Sequence, residues 1–217
     1  MVQRFRLRER EQSPGEEIAN SISHGVGALL ATVAAVFIIL TAVKRGSAFG
    51  IVGNSIFAGS MVLVYLSSTI YHSLKPNRAK RMFKIVDHSA IFLLIAGTYT
   101  PFTLGILRGA GGWTLLAVVW TISLGGIAFT ALTRLRYPTV CTLIYLAMGW
   151  LFVVGGAPLW TKLAPWGMFW LAAGGVAYTA GIAFFALDRV RYGHLAWHVC
   201  VLLGTACHYI AVWRYSA

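Results

Sequence analysis

Apolar residues in this chain come in long runs rather than in alternation. Seven stretches, at about 20–43, 49–72, 85–107, 112–133, 138–160, 165–187 and 193–213, are nearly free of charge. Each is long enough to cross a ~30 Å hydrocarbon core as a helix. Polar residues gather in short connections between the runs, so sequential helices are expected to be neighbours. The pattern predicts an all-α integral membrane protein, a seven-transmembrane helix bundle forming one domain over residues 16–217 behind a polar tail at 1–15. The stretch "SPGEE" reads as a helix start, with Ser13 as N-cap, Pro14 at the first helical position and Glu16 closing a capping box. A short interfacial helix leading into the first span is expected there. No secretory signal is expected, because the first apolar run is too long and lacks a small-residue cleavage pattern.

Composition agrees: 58% of residues are hydrophobic, 11% are charged, and mean hydropathy is +0.73. The net charge of +12 would suit a nucleic-acid binder, but the basic residues lie in the short loops where membrane orientation places them, so no nucleic-acid partner is expected. The tail (Arg4, Arg6, Arg8, Arg10), the second connection (Lys75, Arg78, Lys80, Arg81, Lys84), the fourth (Arg134, Arg136) and the sixth (Arg189, Arg191) hold thirteen. The other side holds five: Lys44, Arg45, Arg108, Lys162 and Arg214. The excess puts the N-terminus in the cytoplasm and the C-terminus outside. That is opposite to the G-protein-coupled receptors and rhodopsins, and no lysine lies in the seventh span for a retinal linkage. Cys141, Cys200 and Cys207 all fall in apolar runs and read as core packing. Ala173, Ala177 and Gly181 on the sixth span, and Gly125–Gly126 on the fourth, read as close-packing positions.

The ionisable residues within the runs do not scatter. His72 ends the second span, Asp87 and His88 open the third, and His194 and His198 open the seventh, with His24 at the same level on the first. His194 and His198 are four apart and share a helix face, as do Ser68 and His72. Three neutral imidazoles converging between helices suit a divalent metal, and zinc with three protein ligands leaves a fourth position for water. Asp87 is the candidate base and Ser68 a supporting residue of that site. Plainer readings stand beside these. His24 and His208 read as interface anchors, and His88, about 100° around the helix from Asp87, as a packing or interface residue. Asp87 could pair with Lys84 or Arg81.

At these residues the sequence resembles the hemolysin III family, the bacterial branch of the progestin and adipoQ receptor (PAQR) superfamily. "EEIANSISHGVG" is similar to the family's first motif, "SSTIYHS…DHSAIFLLIAGTYTP" to its second, and "HLAWHV" to its third. The resemblance covers nearly the whole chain from Glu16. It implies a zinc ion held by His72, His194 and His198, with Asp87 on a water and Ser68 as the serine of an S-x3-H signature shared with alkaline ceramidases. It also implies a bacterial inner-membrane location and a role in membrane-lipid or fluidity homeostasis.

Two function classes are thereby expected. One is a Zn2+-dependent hydrolase of fatty-acyl amides or esters, its lipid substrate arriving from the bilayer. The other is a non-enzymatic lipid-sensing or structural protein, in which Asp87 as a direct fourth ligand would close the site. Pore formation finds little support, since no polar stripe runs along any span. Haem is disfavoured because a pair four apart on one helix suits a small shared ion. Membrane lipids are the expected partners, and oligomeric state is left open.

Overall fold

The computed structural model describes residues 10–155, 157–186 and 190–216. Among them the chain is helical, with no strand: α1 (Pro14–Lys44), α2 (Ala48–Ser73), α3 (Arg78–Leu104), α4 (Ala110–Thr133), α5 (Pro138–Gly155), α6 (Ala157–Lys162), α7 (Pro165–Ala186) and α8 (Gly193–Tyr215). Six of these, all but α5 and α6, are long and apolar enough to cross a membrane. The protein is a multi-pass membrane protein. Its outer surface fits that setting, since α1 turns Leu29, Leu30, Val33, Phe37 and Leu40 outward. The tail residues Arg4, Arg6 and Arg8, and Arg189 in the sixth connection, lie outside the described residues.

The fifth apolar run departs from expectation. Instead of one span over 138–160 it forms an 18-residue α5 followed by the six-residue α6. The opening in α5 comes from another helix. The Tyr99 hydroxyl on α3 donates to the Met148 carbonyl at 2.7 Å and accepts from the Phe152 N–H at 3.0 Å. Those two groups bond directly to each other in an unbroken helix, and a side chain inserted between them bends it. The start of α1 matches the sequence, because Ser13 Oγ accepts from the Glu16 N–H while the Glu16 carboxylate accepts from the Ser13 N–H. The helix then runs unbroken for 31 residues, so the expected interfacial helix is simply its first turns.

Lipid tails are as apolar as leucine, so the bundle is held by close packing rather than by burial from water. Consecutive helices pack as expected, α1 on α2, α2 on α3, α3 on α4 and α7 on α8, and α8 also packs against α1 and α3. The central helix is α3, in which every residue from Ala96 to Leu104 is buried. Gly53 lets α2 reach it, since a Cβ there would lie 2.9 Å from Pro101 Cα. Gly126 on α4 lies against the Phe92 ring, while Gly125 faces open space, so only one of that pair serves packing. On α7, a Cβ at Gly181 would lie 2.7 Å from Trp197. That close approach seats the first turns of α8, where two of the candidate ligands lie. The three cysteines are free, and Cys141 is buried beside Thr130.

Candidate metal centre

His72 sits in the last turn of α2, and His194 and His198 in the first turns of α8. The helical rise places the α8 pair one above the other on a single face. Packing of α1 against both α2 and α8 brings that face to His72. The three ring centroids are 4.7–5.1 Å apart, and each ring offers a nitrogen within 4.8 Å of the others. Three nitrogens on a tetrahedral zinc ion, with bonds of about 2.0–2.1 Å, lie ~3.4 Å apart. The rings would have to turn toward one another to close that difference. The donor set fits a metal for a second reason: His72 Nε2 is buried and has no hydrogen-bond partner. A buried polar atom left unpaired is costly, and a cation at the centre of the triad would satisfy it.

Residues of α1 fix the outward nitrogens of two of these rings. His72 Nδ1 lies 2.7 Å from Glu17 Oε2, and His198 Nδ1 lies 3.1 Å from Ser23 Oγ. Ser23 donates its own proton to the Asn20 carbonyl at 2.8 Å, so its oxygen is the acceptor for His198. Both rings thereby carry the proton on Nδ1 and present Nε2 as a lone pair, the tautomer a metal requires. The neighbouring Glu16 is almost fully buried and holds the other side of the centre. Its carboxylate accepts from the Arg10 guanidinium, from Ser13, and at 2.9 Å from the N–H of Tyr192. Tyr192 has φ 62° and is the residue from which α8 starts. Adjacent glutamates at the start of α1 therefore tie down both helices that bear the triad.

Asp87 and Ser68 line one small cavity together with His24, His88, His194 and His198. Its volume is about 40 Å³. One water needs roughly 10–15 Å³, so this space beside His194 and His198 has room for water. The Ser68 hydroxyl is buried in that wall without a hydrogen-bond partner. A second cavity of about 100 Å³ adjoins it, with Val64, Ile91, Tyr145, Trp197 and Val201 as shared walls. It extends along α3, α5, α7 and α8 past Leu94, Ile95, Phe102 and Leu171, and is overwhelmingly apolar.

A family model described as "Haemolysin-III related" matches residues 13–209. The chain belongs to the haemolysin-III family. It is 45% identical over 200 residues to "Hemolysin-3" of Bacillus cereus, covering 92% of this chain and 91% of that protein. The "Hemolysin-3 homolog" of Bacillus subtilis (strain 168) is 46% identical over 200 residues, with coverage of 92% and 94%. The human "Monocyte to macrophage differentiation factor" is 28% identical over 171 residues, covering 74% of this chain and 68% of its own. The resemblance drawn from the three motifs is thus confirmed, including its wider superfamily.

Within this haemolysin-III chain the structure brings together the residues that the motifs singled out. His72, His194 and His198 form the triad, and Asp87 and Ser68 lie in the wall of the adjoining cavity. His88 is buried, and its Nδ1 donates to the Lys84 carbonyl at 2.9 Å, so one of its nitrogens is engaged in packing. Two plainer readings are corrected. His24 is no interface anchor: it is 3% exposed and stacked flat on His198, with centroids 3.6 Å apart. Both of its nitrogens lack partners. His208 is likewise inside the bundle: its Nε2 donates to the Leu171 carbonyl at 3.1 Å and its ring lines the apolar cavity. Glu17, Ser23 and Asn20 had no assigned role in the sequence. Their one signal was polar residues at the mouth of an apolar run.

Proposed function

We propose that this protein is a zinc-dependent hydrolase of membrane lipids, acting on a fatty-acyl amide or ester. The observation that carries this reading is the shared wall between the small cavity lined by Ser68, Asp87, His194 and His198 and the larger apolar cavity beside it. A headgroup linkage can sit near Asp87 while an acyl chain lies along Ile95, Phe102 and Leu171. His72, His194 and His198 would hold the zinc ion, which when bound would supply Lewis acidity toward an acyl carbonyl and toward water. Asp87 accepts the proton from the attacking water and returns it to the leaving group. Ser68 offers a buried hydroxyl from the lining of the same cavity, and the apolar lining excludes bulk water.

In this reading the apolar run over α5 and α6 completes seven spans. The basic excess places the N-terminus in the cytoplasm of a bacterial inner membrane, with the metal near the cytoplasmic face and the C-terminus outside. The role that follows is membrane-lipid homeostasis. A second reading, a lipid-sensing protein with a structural metal, draws on the triad's position where α2 meets α8, since an ion there also ties those helices together. Metal analysis of purified protein never exposed to chelator tests the shared premise. The expected result is about one zinc per chain, lost in His198→Ala and kept in His208→Ala. Absence of divalent metal from the wild type refutes it.

A further inference from the structure

Glu17 sits on α1, 55 positions before His72, yet its Oε2 is 2.7 Å from His72 Nδ1. Its other oxygen, Oε1, accepts from Lys80 Nζ at 2.9 Å. Lys80 in turn donates to the carbonyl of Leu74, the residue that caps α2, at 3.0 Å. A carboxylate clamped by an ammonium group stays ionised and can only accept, so the proton between Glu17 and His72 belongs to the imidazole. That leaves Nε2, on the far side of the ring, as a lone pair, and Nε2 is the buried atom with no partner.

We propose that Glu17 is a positioning residue of the metal centre: it fixes the tautomer and orientation of His72 so that Nε2 faces His194 and His198. The proposal rests on the metal reading above. The arrangement of carboxylate, imidazole and ion raises the basicity of a ligand as well as aiming it. Lys80 ties the carboxylate to the end of α2, but a glutamate is ionised at neutral pH without such a partner, so the bond from His72 Nδ1 does not depend on Lys80. The competing account makes Glu17 only one half of an ion pair with Lys80 that ties α1 to the connection between α2 and α3. In that account the contact with His72 is incidental.

The test compares wild type, Glu17→Ala, Glu17→Gln and Lys80→Met as full-length protein in detergent. The readouts are zinc affinity by competition with a chromophoric chelator, the visible spectrum of the Co2+-substituted protein, and melting temperature without metal. Glu17→Ala is expected to weaken zinc by ~10–100-fold, the usual cost of losing such a partner. Its cobalt bands should shift, because His72 no longer holds its place. Glu17→Gln, whose amide oxygen still accepts from Nδ1, falls between. Lys80→Met breaks the same ion pair, and so also lowers metal-free stability, but keeps zinc affinity close to wild type. Wild-type zinc affinity and cobalt spectrum in Glu17→Ala overturn the proposal, as does a Lys80→Met protein that loses zinc equally. If Glu17→Ala does not fold, Glu17→Gln decides, and wild-type affinity in it overturns the proposal. A wild type that binds no zinc overturns the metal reading itself, which is a separate outcome.

Discussion

Replacing His194 with alanine isolates the metal from the scaffold. His72 is tied to Glu17, and His198 to Ser23 and the His24 ring, whereas no hydrogen bond from the protein to the His194 ring is found among the described residues. The ring is also only half-buried, so its loss leaves metal-free stability close to wild type. Zinc binding is affected far more, because two imidazoles remain of three. Loss of an outer partner costs ~10–100-fold in affinity, so loss of a ligand should cost at least ~100-fold. With zinc at 100 times the wild-type Kd, binding stabilises the folded state by about 2.7 kcal/mol. For a chain of 217 residues, 1 kcal/mol moves the melting temperature by about 2–4 °C, so the zinc-induced rise is about 5–11 °C. In His194→Ala the same zinc concentration is at most about equal to Kd, the stabilisation falls to ~0.4 kcal/mol, and the rise shrinks to about 1–2 °C. Thermal melts in detergent, with and without zinc, measure both. A full zinc-induced rise in His194→Ala refutes the triad. So does a rise in His208→Ala as small as that in His194→Ala, since His208 lies away from the three rings.

Three further outcomes follow from the same account. Asp87→Asn should retain zinc, with affinity reduced no more than ~10–100-fold, while release of free fatty acid falls ~10²–10⁴-fold; unchanged release removes Asp87 from the chemistry. A reporter fused after Ala217 that functions only outside the cytoplasm should be active, and activity of a cytoplasm-only reporter at that point overturns the orientation. Gly126→Leu should destabilise the bundle by ~1–3 kcal/mol, because its side chain meets the ring of Phe92, which is fully buried; Gly125→Leu, which faces open space, should melt as wild type, and equal effects in the two refute the packing.

The parts of the centre that were legible in the sequence are those written within one helix. His194 and His198 announce a shared face by spacing alone, and His72 and Asp87 could be matched to them by depth in their spans. What escaped depends on contacts between distant segments. Glu17 meets His72 only because α1 lies beside α2, and nothing in "EEIAN" marks which glutamate reaches a histidine. His24 is a lone histidine on its helix, so its stacking on His198 is a product of packing. His208 lies several turns along α8, but its depth inside the bundle depends on Gly174 of α7, where a Cβ would collide with its ring. The Tyr99 hydroxyl that enters the α5 backbone between Met148 and Phe152 is likewise a contact between distant segments, which the run over 138–160 does not reveal. The membrane class was readable because apolar run length is itself the physical requirement.

The central claim is that the triad serves turnover of a lipid, and one measurement addresses it directly. Purified protein is incubated with a mixed extract of amide and ester lipids, and free fatty acid is followed with zinc loaded, after chelation, and after zinc is restored. The account predicts release with zinc, loss on chelation and recovery on restoration. Zinc-loaded protein that releases no fatty acid from either lipid class contradicts it and leaves the metal as a structural tie between α2 and α8.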